Sequence, residues 1–241
     1  PDGVNFTQIA SKAPNAPNHT ATGLIPATTY TFRVRANNSA GSSGWSQAVT
    51  AKTLETTAGA ISRQVWLNVP AGSGIAGIPV TTAPNIESTL PLFQEPSNFA
   101  DGFGSRVRGY LTAPSSGDYT FWISGDNDCE LWLSTSENPG EKVKIAHLTG
   151  WTDPLQYDRL NSQKSLPVTL VAGKRYYVEV LHIDDNGADH MAVGWAKPGE
   201  STANPSEIIP GTVLSMFMAP TAPSNCVATT ISSNQIDLSL T

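Results

Sequence analysis

Three stretches decide the fold: Phe103-Gly-Ser-Arg-Val-Arg-Gly-Tyr-Leu111, Gly117-Asp-Tyr-Thr-Phe-Trp-Ile-Ser-Gly-Asp126 and Glu130-Leu-Trp-Leu-Ser134. Aromatic and aliphatic residues that suit a pleated, half-buried surface fill all three, and turn residues separate them. Working outward, strand signals recur over 64–69, 106–112, 119–124, 130–134, 143–148, 166–171, 175–183 and 191–196. Pro114-Ser-Ser-Gly117, Asn138-Pro-Gly140 and Ala172-Gly173 supply the turn chemistry between them. No long helical period interrupts the series. Residues 70–100, rich in Gly, Pro and Thr, read as loop with one short helical turn. Many short strands at near-regular spacing predict one all-β sandwich or barrel over residues 57–218.

The flanks read differently. In residues 1–56, Tyr30-Thr-Phe-Arg-Val-Arg-Ala36 alternates apolar with basic residues, as a half-buried strand does. Leu24, Pro26 and Tyr30 precede it in the pattern of a tyrosine corner. This segment resembles the C-terminal part of a fibronectin type III domain. Residues 219–241, with Ala222-Pro-Ser-Asn-Cys-Val-Ala228 and the alternating Gln235-Ile-Asp-Leu-Ser-Leu240, resemble the N-terminal strands of a second one. The chain is therefore expected to begin and end inside incomplete fibronectin type III (immunoglobulin-like) sandwiches of a longer protein. Phe32, Val34 and Val49 at one end, and Ile236, Leu238 and Leu240 at the other, would then need cover. Copies of the same chain meeting end to end are one source of it.

The central region resembles the PA-14 domain, the protective-antigen type. The three opening stretches carry the likeness, together with Tyr176-Tyr-Val-Glu-Val-Leu-His182, Asp189-His-Met-Ala-Val-Gly-Trp195 and the closing Ile208-Ile-Pro-Gly211. The resemblance implies a β-sandwich or barrel that, in many members, binds glycans through calcium held by two loops at one end. It places Asp126 and Asn127 at the family's paired aspartates, which are often joined by a cis peptide. Asn127 departs from that pattern, so one negative charge is lost, with Asp128 available beside it. The second loop would be the one carrying Asp184, Asp185, Asn186 and Asp189.

The residues themselves permit the same chemistry. Calcium takes about 6–8 oxygen ligands at roughly 2.3–2.6 Å. Both loops follow one strand and precede another, so they meet if those strands run the same way. Asp and Asn are also ordinary turn residues that bond their own backbone, and Asp189 can equally anchor its loop. Trp151 and Tyr157, in a polar loop, are candidate platforms for a sugar ring or caps on the barrel. His190 lies beside Asp189 and is a third candidate contact. Zinc is not expected there, because neither Cys nor a second His has ligand spacing to it. His182 shows no pattern that singles it out. Trp66, Trp122, Trp132 and Trp195 read as core, and Cys129 as a small buried apolar residue unpaired with Cys226.

Composition narrows the classes. The 241 residues are 39% hydrophobic and only 14% charged, with 20 Gly, 18 Pro and a formal net charge of −6. An acidic surface repels phosphate backbones, so nucleic acid is not an expected partner. No apolar run is long enough to insert in a membrane. No nucleophile elbow, zinc-protease helix or phosphate-cradling Gly loop is present, so no enzyme is expected. The leading expectation is a non-catalytic glycan-binding module of a secreted or cell-surface protein. The alternatives are a structural bead of an extracellular stalk or filament and an accessory module of a polysaccharide-degrading enzyme.

Overall fold

A computed structural model describes residues 6–11, 21, 29–52 and 58–218 and the strands at 226–232 and 235–240. The N-terminal strands are β1 (Thr29–Phe32), β2 (Asn37–Asn38), β3 (Gly41–Ser42) and β4 (Val49–Lys52). β1 pairs antiparallel with β4, and β2 with β3. Trp45 holds the guanidinium groups of Arg33 and Arg35 over its ring at 4.3 and 4.6 Å. Val34 and Val49 stand 71% and 63% exposed. Leu24 and Pro26 of the expected tyrosine corner lie outside the described residues.

The central region contributes β5 (Ile61–Leu67), β6 (Ile86–Leu90), β7 (Phe103–Thr112), β8 (Gly117–Asp126), β9 (Cys129–Leu133) and β10 (Val143–Leu148). It continues with β11 (Val168–Leu170), β12 (Arg175–Asp184), β13 (His190–Ala196), β14 (Glu207–Ile208) and β15 (Leu214–Met216). These form two sheets. A seven-stranded sheet runs β10-β9-β12-β7-β5-β6, with β15 also on β7, and a four-stranded sheet runs β11-β8-β13-β14. Strand periodicity builds the core: Val107 and Leu111 of β7 and Val178 and Val180 of β12 cluster with Tyr119, Phe121 and Ile123 of β8 and Val193 and Trp195 of β13, while Phe103 of β7 is buried against Phe99 and His182. At β7 the outer strand β15 comes so close that a Cβ on Gly109 would lie 2.3 Å from the Ser215 carbonyl, which is why the position is glycine.

The all-β expectation holds, with local corrections. Residues 70–100 are not loop throughout. They contain the expected short turn, a 3-10 helix at Ile75–Gly77, but also strand β6. β6 escaped notice because Ile-Glu-Ser-Thr-Leu is an edge strand with its middle exposed, so it lacks an apolar period. Trp66, Trp122 and Trp195 are buried. Trp132 instead lies half-buried on the outer face, with Lys142 and Lys144 at 5.4 and 5.7 Å from its ring. Cys129 is buried and free. β16 (Cys226–Ser232) and β17 (Gln235–Leu240) pair antiparallel. Among the described residues no helix is long and apolar enough to cross a membrane.

Candidate functional site

Two connections carry the chain from one sheet to the other at the same end of the sandwich. The first, at 127–128 after Asp126 ends β8, leads to β9. The second, at 185–189, leaves β12 for β13. Because β13 pairs with β8 and β12 with β9, the two crossovers must lie side by side. Hydrogen bonds lock them together: Asn127 N–H donates to the Ile183 carbonyl at 3.0 Å, Ile183 N–H to the Asp128 carbonyl at 3.0 Å, and Asp185 N–H to Asn127 Oδ1 at 2.9 Å. The Asp126–Asn127 peptide is cis, as the resemblance implied.

The expected site residues have distinct roles within this junction. Asp184 is fully buried and Asp189 is 2% exposed. Asp184 Oδ2 accepts from Gly102 N–H at 3.3 Å. Asp189 Oδ2 accepts from Phe99 N–H at 2.5 Å and Ala100 N–H at 3.2 Å. The second oxygen of each, Oδ1, is buried with no hydrogen-bond partner, a costly condition for a carboxylate. Burial, reinforced by Asp189 and Asp126, pushes the Asp184 carboxyl up to about 6. Burial also raises Asp126, an effect opposed by His190 and His182 and reinforced by Asp189. Asp189 is raised by burial against the two N–H groups that hold it.

Other loop residues tie in neighbouring segments. Asp128 Oδ1 accepts from Gly150 N–H at 2.7 Å, and Asp185 Oδ1 from Gly72 N–H at 2.9 Å. Asn186 is exposed at the loop tip. Among the described residues no group of three or more His, Cys, Asp or Glu side chains is arranged to hold a metal ion. Further oxygens at the junction come from the Asn127 and Asn186 side chains and the main chain.

Trp151 is 53% exposed, and its position is fixed from both sides. Gly150 is bonded to Asp128, while Thr152 N–H donates to the Gly125 carbonyl at 2.9 Å. The indole therefore stands beside the first loop, with the Arg159 guanidinium 4.9 Å from its ring. Tyr157 turns its hydroxyl inward to a buried place beside Ser124, and burial pushes the phenol up to about 12. His190 is buried, with Nε2 unpartnered and its basicity lowered by burial.

Sequence reading missed the support beneath the loops. His182 is not incidental: it is fully buried, with Nδ1 2.8 Å from Glu95 Oε2 and Nε2 2.8 Å from the Asp126 carbonyl. The signal available in sequence was slight: His182 lies between Leu181 and Ile183, but Arg63 is flanked by Ser62 and Gln64, and Glu95 by Gln94 and Pro96.

Comparison with known proteins agrees with this architecture. Residues 93–208 match the PA14 domain family and residues 3–52 the fibronectin type III domain family. Among relatives, mouse N-acetyl-beta-glucosaminyl-glycoprotein 4-beta-N-acetylgalactosaminyltransferase 1 is 40% identical over 98 residues, covering 39% of this chain and 10% of that protein. Dog fibrocystin is 32% identical over 141 residues, covering 51% of this chain and 3% of that protein. The chain thus spans a tenth or less of the length of these relatives. A solved PA14 sugar-binding domain from an RTX adhesin superposes with a TM-score of 0.50 at 13% identity, over 67% of this chain and all of that one. The chain carries a PA14 domain over residues 93–208, preceded by fibronectin type III sequence over residues 3–52.

Proposed function

We propose that this chain is a non-catalytic module that binds extracellular glycans through calcium held at the junction of the two crossover loops. The observation that carries the reading is the pair of buried, unpartnered carboxylate oxygens on Asp184 and Asp189, on a loop bonded to the one carrying Asp126 and Asn127. A hard divalent cation satisfies such oxygens without a hydrogen-bond donor. Among the described residues acidic side chains alone do not form the cage, so the free Oδ1 atoms of Asp184 and Asp189 would hold the ion together with side-chain oxygens of Asn127 and Asn186 and main-chain oxygens of the loops, beside Asp126. Asp128 and Asp185 hold the adjoining Gly150 and Gly72 segments in place. When bound, calcium would supply a hard cation that sugar hydroxyls can coordinate. The exposed Trp151 face offers an apolar surface for the ring. The sugar-binding description of the RTX adhesin domain supports this class of ligand and a secreted or cell-surface setting.

A glycan array probed with the whole chain in calcium and in chelator tests the reading. Signals confined to the calcium arm are expected. Signals unchanged by chelator, or absent from both arms of a broad array, count against it.

The exposure of Val34 and Val49 favours a second, compatible role as a bead in an extracellular stalk, with copies meeting end to end. Burying such side chains is worth about 1.5–3 kcal/mol each. Sedimentation over a concentration series is expected to show self-association. A monomer at every concentration removes this role.

A further inference from the structure

A charged cluster lies beneath the loops, inside the sandwich. Arg63 on β5, Ser105 on β7 and His182 on β12 come from three adjacent strands. With Glu95 they are 3%, 0%, 0% and 3% exposed respectively. Arg63 Nε donates to Glu95 Oε1, and Ser105 Oγ donates to Glu95 Oε2 at 2.9 Å. His182 reaches the same Oε2 through Nδ1 and the Asp126 carbonyl through Nε2, each at 2.8 Å. Both partners of the ring are acceptors, so both ring nitrogens donate. The cluster has a second outlet. The Arg63 guanidinium lies 4.2 Å from the Phe99 ring centroid, and Phe99 N–H is the short donor to Asp189.

Burying an Arg, a Glu and a His is costly, and apolar side chains of similar volume generally stabilise a core at least as well. The cluster's contacts are also directional. One end stops at the main chain of Asp126 and the other at the carboxylate of Asp189. We propose that the Arg63–Glu95–His182 relay, with Phe99, positions these residues, fixing the spacing at which the two loops present oxygens to a cation. The inference rests on the calcium reading above, and its residues touch no ligand themselves.

The test compares the whole chain with Glu95→Gln, Phe99→Leu and, as a core control, Val107→Ala. Calcium affinity is measured by calorimetry, folded fraction in chelator by circular dichroism, and amide shifts in chelator by nitrogen-15 NMR. Glu95→Gln is expected to weaken calcium binding by about 10–100-fold, the range for partners that orient metal ligands, and to shift the Asn127 and Asp189 amides. Val107→Ala should lower the melting temperature with calcium affinity intact, which a purely structural role of Glu95 would mimic. Glu95→Gln binding as wild type with those amides unmoved overturns the proposal. Should Glu95→Gln not fold, Phe99→Leu keeps the ion pairs and removes the ring contacts with Arg63 and Phe103. Weakened binding there supports the relay, and unchanged affinity overturns it. If the wild type binds no calcium, the calcium reading fails separately. The amide shifts of the folded variants in chelator then decide positioning alone: movement at Asn127 and Asp189 supports it, and none overturns it.

Discussion

Asp184 carries a fully buried carboxylate whose Oδ1 has no donor. Without a cation, its ionised form opposes folding, because burial raises its affinity for a proton. Asp184→Asn removes that charge, and the amide oxygen can still accept from Gly102. We predict that the variant melts higher than wild type in chelator, by about 2–4 °C per kcal/mol gained for a chain of this size. Added calcium should raise the wild-type melting temperature and leave the variant's unchanged. Differential scanning calorimetry of both proteins with and without calcium checks this. Trp151, in contrast, is exposed, so Trp151→Ala should alter stability by no more than about 0.5 kcal/mol. It should still weaken glycan binding roughly fivefold, the equivalent of about 1 kcal/mol. An array signal retained at full strength by the variant would remove the indole from the ligand surface.

The strands make the loops meet. β8 and β12 end at the same edge of the sandwich because β12 pairs with β9 and β8 with β13. Sequence alone allowed this only as a condition on strand direction, since long-range pairing leaves no local signal. The main strands were legible from their apolar density, and the two loops from their Asp and Asn content within a recognised pattern. β6, β14 and β15 were not legible, being short or exposed. His182 was missed because one imidazole in an apolar strand means little until Glu95, 87 residues away in sequence, is known to face it. Gly109 marks a packing constraint invisible in sequence. Gly109→Ala would drive a methyl against the Ser215 carbonyl, and we predict a loss of about 1–3 kcal/mol. Hydrogen exchange should speed up first at Leu214–Met216. Unaltered protection there would show that β15 shifts at no cost.

For the molecule as a whole, the buried Glu95 links stability to pH. Its carboxyl is held down at about 2, against 4.5 normally, because His182 and Arg63 outweigh the opposing effect of burial. A depressed acid stabilises the fold fully above its unfolded value, and the contribution is lost as pH falls through the folded value. Acid titration in chelator should therefore show stability declining from about 4.5 toward about 2. Glu95→Gln should flatten that decline. An identical slope in the variant would mean that other carboxylates govern acid unfolding.

The proposed chemistry of the junction depends on the crossover loops holding calcium. Calorimetric titration of calcium into the chelator-stripped chain at neutral pH, run beside Asp184→Asn, measures this directly. One binding event in the wild type, absent from the variant, is the predicted result. No binding heat in the wild type at several temperatures, or equal binding in both proteins, would contradict it.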